Sequence, residues 1–266
     1  MGRIIYKHNY LHLGLVKWLR EEIREADIKM SFVIAAVASA LMLCLRQYYG
    51  SAIDWFNFLE NGKPGEWKQI VFQWLFVDAD RGLHSLLFWA GGCVFFYLLL
   101  PAFISGFVLK TKPSESGIVF KIPQKHWKIY GLLILIVMPF VVLASFSDHF
   151  QATYPFYRVP VNELDLNLFL IWEIAYFLQF VGIEYFFRGF LLFQAEKHIG
   201  RHAVLFAMLP YCMIHFGKPL PETLGAIVAG IVLGTMALRS RSIIPGIIVH
   251  YTVAISMDLL SLGMRS

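Results

Sequence analysis

The sequence predicts an all-α bundle that crosses a membrane about seven times, with the N-terminus in the cytoplasm and amphipathic helices at the interface. Three observations predict it. Of the 266 residues, 58% are hydrophobic and only 15% are charged, whereas a soluble domain carries about 25% charged residues. Several runs reach or approach the ~20 apolar residues that span a bilayer. Lys and Arg also divide unevenly, 15 on the N-terminal side of seven alternating spans and 7 on the other, with Arg188 inside a span. Such a bias is the sign of basic loops kept in the cytoplasm. The net charge of +5 has the same origin, and it does not call for nucleic acid as a partner.

Residues 1 to 29 place Leu15, Val16, Leu19 and Ile23 on one stripe and Lys17, Arg20, Glu21 and Arg24 opposite, the pattern of an interfacial amphipathic helix. This charged stretch precedes the first apolar run, which is therefore read as a retained anchor and not a cleaved signal. The first span is expected from about Met30 to Leu45. Between 46 and 83, aromatic residues alternate with charges around Gly62-Lys63-Pro64-Gly65, which predicts two short interfacial helices joined by a turn. The second span is expected over about Leu83 to Leu109. The third covers about Ile129 to Phe146, where Pro139 predicts a kink.

After a loop with Pro155 and Pro160, Asp165 or Asn167 can cap the next helix. That helix stays periodic from Leu166 to about Lys197, longer than a bilayer is thick. Gly200 ends it. The fifth span runs from Ala203 to Phe216, followed by a tight break at Gly217-Lys218-Pro219. The sixth, Thr223 to Leu238, carries Ala226, Gly230 and Gly234 at four-residue spacing, a face that lets another helix approach closely. The seventh covers Ile243 to Leu262. The chain divides into an N-terminal part, 1–160, with the first three spans, and a four-helix core, 161–266. The cysteines Cys44, Cys93 and Cys212 all lie in apolar segments without CxxC spacing, so neither a disulfide framework nor a cysteine zinc site is implied.

Charge inside an apolar span marks a candidate functional site. Glu184 and Arg188 stand one turn apart on one helix face, and His215, Glu222 and His250 lie in or beside the following spans. If helices four and five form a hairpin about Gly200, residues whose numbers sum to about 399 face each other. Glu184 and His215 meet that condition. The fold at Pro219 sets Glu222 level with His215. The same construction leaves His250 about 15 Å deeper, at 1.5 Å per residue, so a tilt or a break at Pro245 is needed to bring it near.

The order Glu184-xxx-Arg188-Gly189, Tyr211-xxx-His215 and then His250 on consecutive apolar helices resembles the CAAX prenyl protease and bacteriocin-processing family (CPBP, also called Abi). That family comprises intramembrane endopeptidases with motifs EExxxR, FxxxH and HxxxN or HxxxD. The resemblance covers about residues 165 to 260. It implies a helical bundle that hydrolyses a peptide bond, with the Glu and the first His activating water and the last His with its Asn assisting the oxyanion. Glu184, His215, His250 and Arg188 are the candidate catalytic residues, with Arg188 fixing Glu184. This chain departs from the pattern at Ile183, in place of the first Glu, and at Ala254, in place of the Asn or Asp. Glu222 is the candidate replacement carboxylate.

Two cofactor readings follow. Glu184, His215 and His250 would form a His₂Glu set of the kind that holds catalytic zinc, or a glutamate-dependent mechanism works without metal. The resemblance implies a multi-pass protein of the cell membrane, surrounded by lipid and acting on a membrane-associated or lipidated peptide or protein. The alternative is a catalytically impaired member that binds membrane-embedded partners or regulates them.

Overall fold

A computed structural model of the chain describes residues 14–25, 28–51, 70, 81–158 and 164–265. The amphipathic N-terminal stretch forms α1, Leu15–Glu25, and the first span is α2, Met30–Tyr49. Helix α3, Arg81–Val94, continues through a π-helical turn at Phe95–Leu99, Leu100–Phe103 and a second π turn at Ile104–Val108. Helix α4, Gln124–Ser145, runs through Pro139 without ending there. Short α5, Asp148–Thr153, is capped by Ser147, whose Oγ accepts from the Phe150 amide at 3.3 Å.

The second half is built from α6, Leu166–Glu184, a π-helical segment Tyr185–Leu192, α7, Phe193–Ile199, α8, Ala203–Met213, α9, Leu220–Ser240, and α10, Ile244–Arg265. Asp165 is the cap of α6, its Oδ1 accepting from the Asn167 amide at 2.7 Å. Gly200 ends α7 at φ 57, a left-handed backbone that glycine adopts without the Cβ penalty. Among the described residues six helical stretches are long and apolar enough to cross a membrane, including Leu166–Met213 at 48 residues. This stretch doubles back at Gly200 and so contains both the fourth and the fifth expected spans. The chain is a multi-pass membrane protein.

Every residue from Gly182 to Ala195 is buried, so this segment is the axis of the bundle and other elements surround it on all sides. Tyr97 packs on Phe186 with ring centroids 4.9 Å apart, and Phe187 on Tyr211 at 5.3 Å. Close approach needs glycine at two points. A Cβ on Gly189 would lie 2.8 Å from the Ser116 carbonyl oxygen, and one on Gly230 would lie 2.8 Å from Met208 Cγ. The small-residue face of α9 thus receives α8, and Tyr211 with it. Outside, Leu135, Phe140 and Leu143 of α4 are 70%, 68% and 69% exposed, an apolar surface suited to hydrocarbon and not to water.

Three expectations need comment. The two interfacial helices around Gly62 fall largely outside the described residues. The long fourth helix changes to π geometry just after Glu184, a feature that apolar periodicity does not signal. His250 is also not displaced in depth from Glu184, for a reason set by the turn between α9 and α10. There the Ile243 amide donates to the Gly117 carbonyl at 3.0 Å and Arg241 pairs with Glu196 at 2.6 Å. The Arg241 guanidinium also lies 4.7 Å from the Phe193 ring centroid. The turn therefore sits at the level of Phe193. From there seven residues lead from Ile243 to His250 and nine, mostly π-helical, from Phe193 to Glu184, which brings the two to one level.

Candidate active site

Glu184 is the last residue of α6 and is 1% exposed. An ionised carboxylate so placed needs partners, and it has two. Arg188 Nη1 donates to Glu184 Oε1 at 2.9 Å, and His250 Nδ1 lies 2.9 Å from the same oxygen. A carboxylate oxygen only accepts, so Nδ1 carries the proton. Glycine makes room for the arrangement: a Cβ on Gly246, one turn before His250, would stand 2.7 Å from Glu184 Oε2.

The chain of bonds continues on α8. Tyr211, 2% exposed, places its hydroxyl 3.3 Å from His250 Nε2. Because Arg188 already balances Glu184, a neutral imidazole completes the group without a further buried charge. In that tautomer Nε2 holds a lone pair and accepts from the Tyr211 hydroxyl. The Arg188 guanidinium lies against the Tyr211 ring, 3.9 Å from its centroid, a cation–π contact strengthened by the absence of water. Residues 188 and 211 sum to 399, so this contact is where the hairpin relation holds most directly.

His215 lies in the turn after α8, between the spans. Its Nδ1 is 2.9 Å from the carbonyl oxygen of Tyr211, and because a carbonyl can only accept, Nδ1 again bears the proton. Nε2 is left with the lone pair. Burial, the largest influence, pushes the His215 pKa down to about 4; the bond to the Tyr211 carbonyl and the charge of Glu222 oppose it, and His250 and Lys218 reinforce it. The imidazole is neutral at pH 7. Its ring meets the Tyr211 ring edge to face at 4.8 Å. Among the described residues no bond joins Glu184 to His215, and Tyr211 is the residue that links them.

Glu222 stands apart from this group. Both its oxygens accept from the Tyr154 hydroxyl, at 3.1 and 3.0 Å, and Lys218 pairs with it at 3.3 Å. It remains a neighbour of His215, since Thr223 Oγ1 donates to the His215 carbonyl at 2.9 Å. Among the described residues no group of three or more His, Cys, Asp and Glu side chains is placed to hold a metal ion. His250 directs its Nδ1 proton at Glu184, so that nitrogen has no lone pair to offer a metal.

A family model described as Type II CAAX prenyl endopeptidase Rce1-like matches residues 165–256. The matched stretch is similar to that family. No curated protein and no solved structure matches the chain. The Rce1-like segment takes in Glu184, Arg188, Tyr211, His215, Glu222 and His250, and it begins at the cap of α6. Within it, Ile183 is 6% and Ala254 4% exposed, both packed into the main apolar core. Two residues in contact with this group were not among the sequence candidates. The Tyr211 hydroxyl has its signal in a Tyr where the motif has Phe, and Gly246 in its position four residues before His250.

Proposed function

We propose that the chain is a CAAX-protease-like intramembrane endopeptidase that hydrolyses a peptide bond of a membrane-associated or lipidated peptide or protein. The observation that carries this reading is the pair of imidazoles around Tyr211. One, His215, presents an unprotonated Nε2; the other, His250, is oriented by Glu184 and Arg188. In the proposed reaction His215 Nε2 takes a proton from water as the water oxygen bonds to the scissile carbonyl carbon. When the C–N bond breaks, its electron pair stays on nitrogen, which takes the proton back from His215.

In this reading Glu184 is not the base. Its Oε1 already receives two hydrogen bonds, and its role is to fix the tautomer and direction of His250, as a carboxylate does for a catalytic imidazole. General base help is typically worth about 10²–10⁴-fold and is largest for a pKa near the working pH. His215, with a pKa of about 4, is a weak base, so slow turnover is expected. Glu222 supports it from the side by holding Lys218. The proposed setting is the cell membrane, with the N-terminus cytoplasmic.

Ile183 and Ala254 favour a second reading. Both put buried apolar side chains where the family motifs carry a carboxylate and an Asn or Asp, as in a member that binds membrane-embedded peptides without cleaving them. Purified full-length protein in lipid nanodiscs, offered a panel of lipidated and unlipidated peptides, separates the two. Cleavage by the wild type that is lost in Glu184→Gln, His215→Ala and His250→Ala supports the peptidase; binding without cleavage supports the second reading.

A further inference from the structure

We propose that the Tyr211 hydroxyl is a further catalytic group of this site, the donor that stabilises the oxyanion formed from the scissile carbonyl. The inference rests on the endopeptidase reading and deepens it. An oxyanion needs hydrogen-bond donors fixed in advance where its charge develops. With Nδ1 of His250 turned to Glu184 at 2.9 Å, the neutral ring offers Nε2 only as an acceptor. His215 likewise spends its one N–H on the Tyr211 carbonyl at 2.9 Å. Position 254, one turn beyond His250 on α10, is Ala and offers none. The hydroxyl of Tyr211 lies 3.3 Å from His250 Nε2, on a ring whose centroid is 4.8 Å from that of His215, and it is the O–H donor beside these imidazoles.

Its setting suits that role. The ring is fixed on one side by the Arg188 guanidinium at 3.9 Å and on another by Phe187 at 5.3 Å, which leaves the hydroxyl proton as the free torsion. Before substrate binds, the hydroxyl donates a hydrogen bond to His250 Nε2. As water adds to the carbonyl carbon and its proton passes to His215 Nε2, the C=O π pair moves to oxygen, and the Tyr211 O–H turns to donate to that oxygen. No bond to tyrosine forms or breaks. When the carbonyl reforms and the C–N bond breaks, the amine takes the proton held by His215.

The test is Tyr211→Phe, which removes one oxygen atom and leaves the ring, the Arg188 contact and the backbone carbonyl under His215 in place. The expected result is a fall of about 10²–10³-fold in kcat with KM within twofold of wild type and an unshifted melting curve. A peptide phosphinate, which mimics the tetrahedral state, should bind Tyr211→Phe at least tenfold more weakly, while a reduced-amide peptide binds both proteins alike. A structural tyrosine would not split the two ligands. The acid limb of the pH profile should stay where it is, because His215 is untouched.

A wild type that cleaves, together with a Tyr211→Phe that cleaves as fast, overturns the proposal and leaves the endopeptidase reading intact. A wild type that does not cleave and binds phosphinate no better than reduced amide overturns both. If Tyr211→Phe melts early, Tyr211→3-fluorotyrosine, which keeps the hydroxyl but changes its acidity, replaces it; unchanged kcat and phosphinate affinity in that protein overturn the proposal.

Discussion

His250 Nδ1 donates to Glu184 Oε1 at 2.9 Å, a bond that ties the last helix of the chain to the buried segment at the centre of the bundle. Through it the Arg188 charge, the Glu184 carboxylate and the His250 ring act as one unit, and each depends on the others for its place. Such networks are worth more together than pairwise deletions suggest.

The first prediction concerns charge. Glu184→Gln leaves Arg188, 2% exposed, without its counter-ion, and breaking a buried pair from one side costs about 3–5 kcal/mol. The melting temperature in nanodiscs should drop accordingly. Glu184→Gln combined with Arg188→Met should recover at least half of the loss, because no charge is then stranded. A double variant as unstable as the sum of the two single ones would show that the pair is not coupled.

Space is the subject of the second. A Cβ on Gly246 would meet Glu184 Oε2 at 2.7 Å, so Gly246→Ala must push the carboxylate or α10 aside. Overpacking of this kind costs about 1–3 kcal/mol. Cleavage should fall further than stability, since the displaced oxygen is the one beside the His250 bond. A variant with wild-type cleavage would mean that Glu184 has room the structure does not show.

The third prediction follows from pH. The pKa of His215 in the fold, about 4, lies below its ordinary 6.5, with burial the main cause. Between those two values the unfolded chain binds more protons than the folded one, so stability is present above pH 6.5 and is lost as pH falls toward 4. His215→Asn, which cannot titrate there, should show a flatter loss of melting temperature over that window. For the peptidase the acid limb should fall near pH 4 and not near 6.5. A limb at 6.5 would place the titrating group elsewhere.

Helix packing supplies the fourth. Gly230 lies where a Cβ would be 3.2 Å from Tyr211 Cδ1, so Gly230→Val forces α8 away from α9 and moves Tyr211 off His250. Loss of cleavage with a lowered melting point is expected, whereas Gly225→Ala, where a Cβ has nothing within 4 Å, should leave both unchanged.

Parts of this architecture were legible because they depend on short-range geometry. Glu184 and Arg188 are one turn apart on one helix, so their pairing needs only helical periodicity. The Gly200 hairpin set Glu184 opposite His215, because reversal fixes which residues can meet; in the structure the pair of that register in direct contact is Arg188 with Tyr211. His250 was placed too deep because the level of the α9–α10 turn is set by contacts remote in sequence, Ile243 with Gly117 and Arg241 with Glu196. Hydropathy carries no record of such contacts. The π geometry at Tyr185–Leu192 was invisible for a related reason: a segment buried on all sides has no polar face to reveal its period. Tyr211 was read as an aromatic in an aromatic position, and its hydroxyl acquires meaning only when His250 Nε2 is found beside it.

The most direct measurement is hydrolysis of a lipidated peptide by the purified full chain in water enriched with oxygen-18, followed by mass spectrometry. The predicted result is two fragments, one ¹⁸O in the new carboxylate, and a rate reduced about 10²–10⁴-fold in His215→Ala. An intact peptide after incubation with folded wild-type protein, or label incorporated equally fast by His215→Ala, would contradict it.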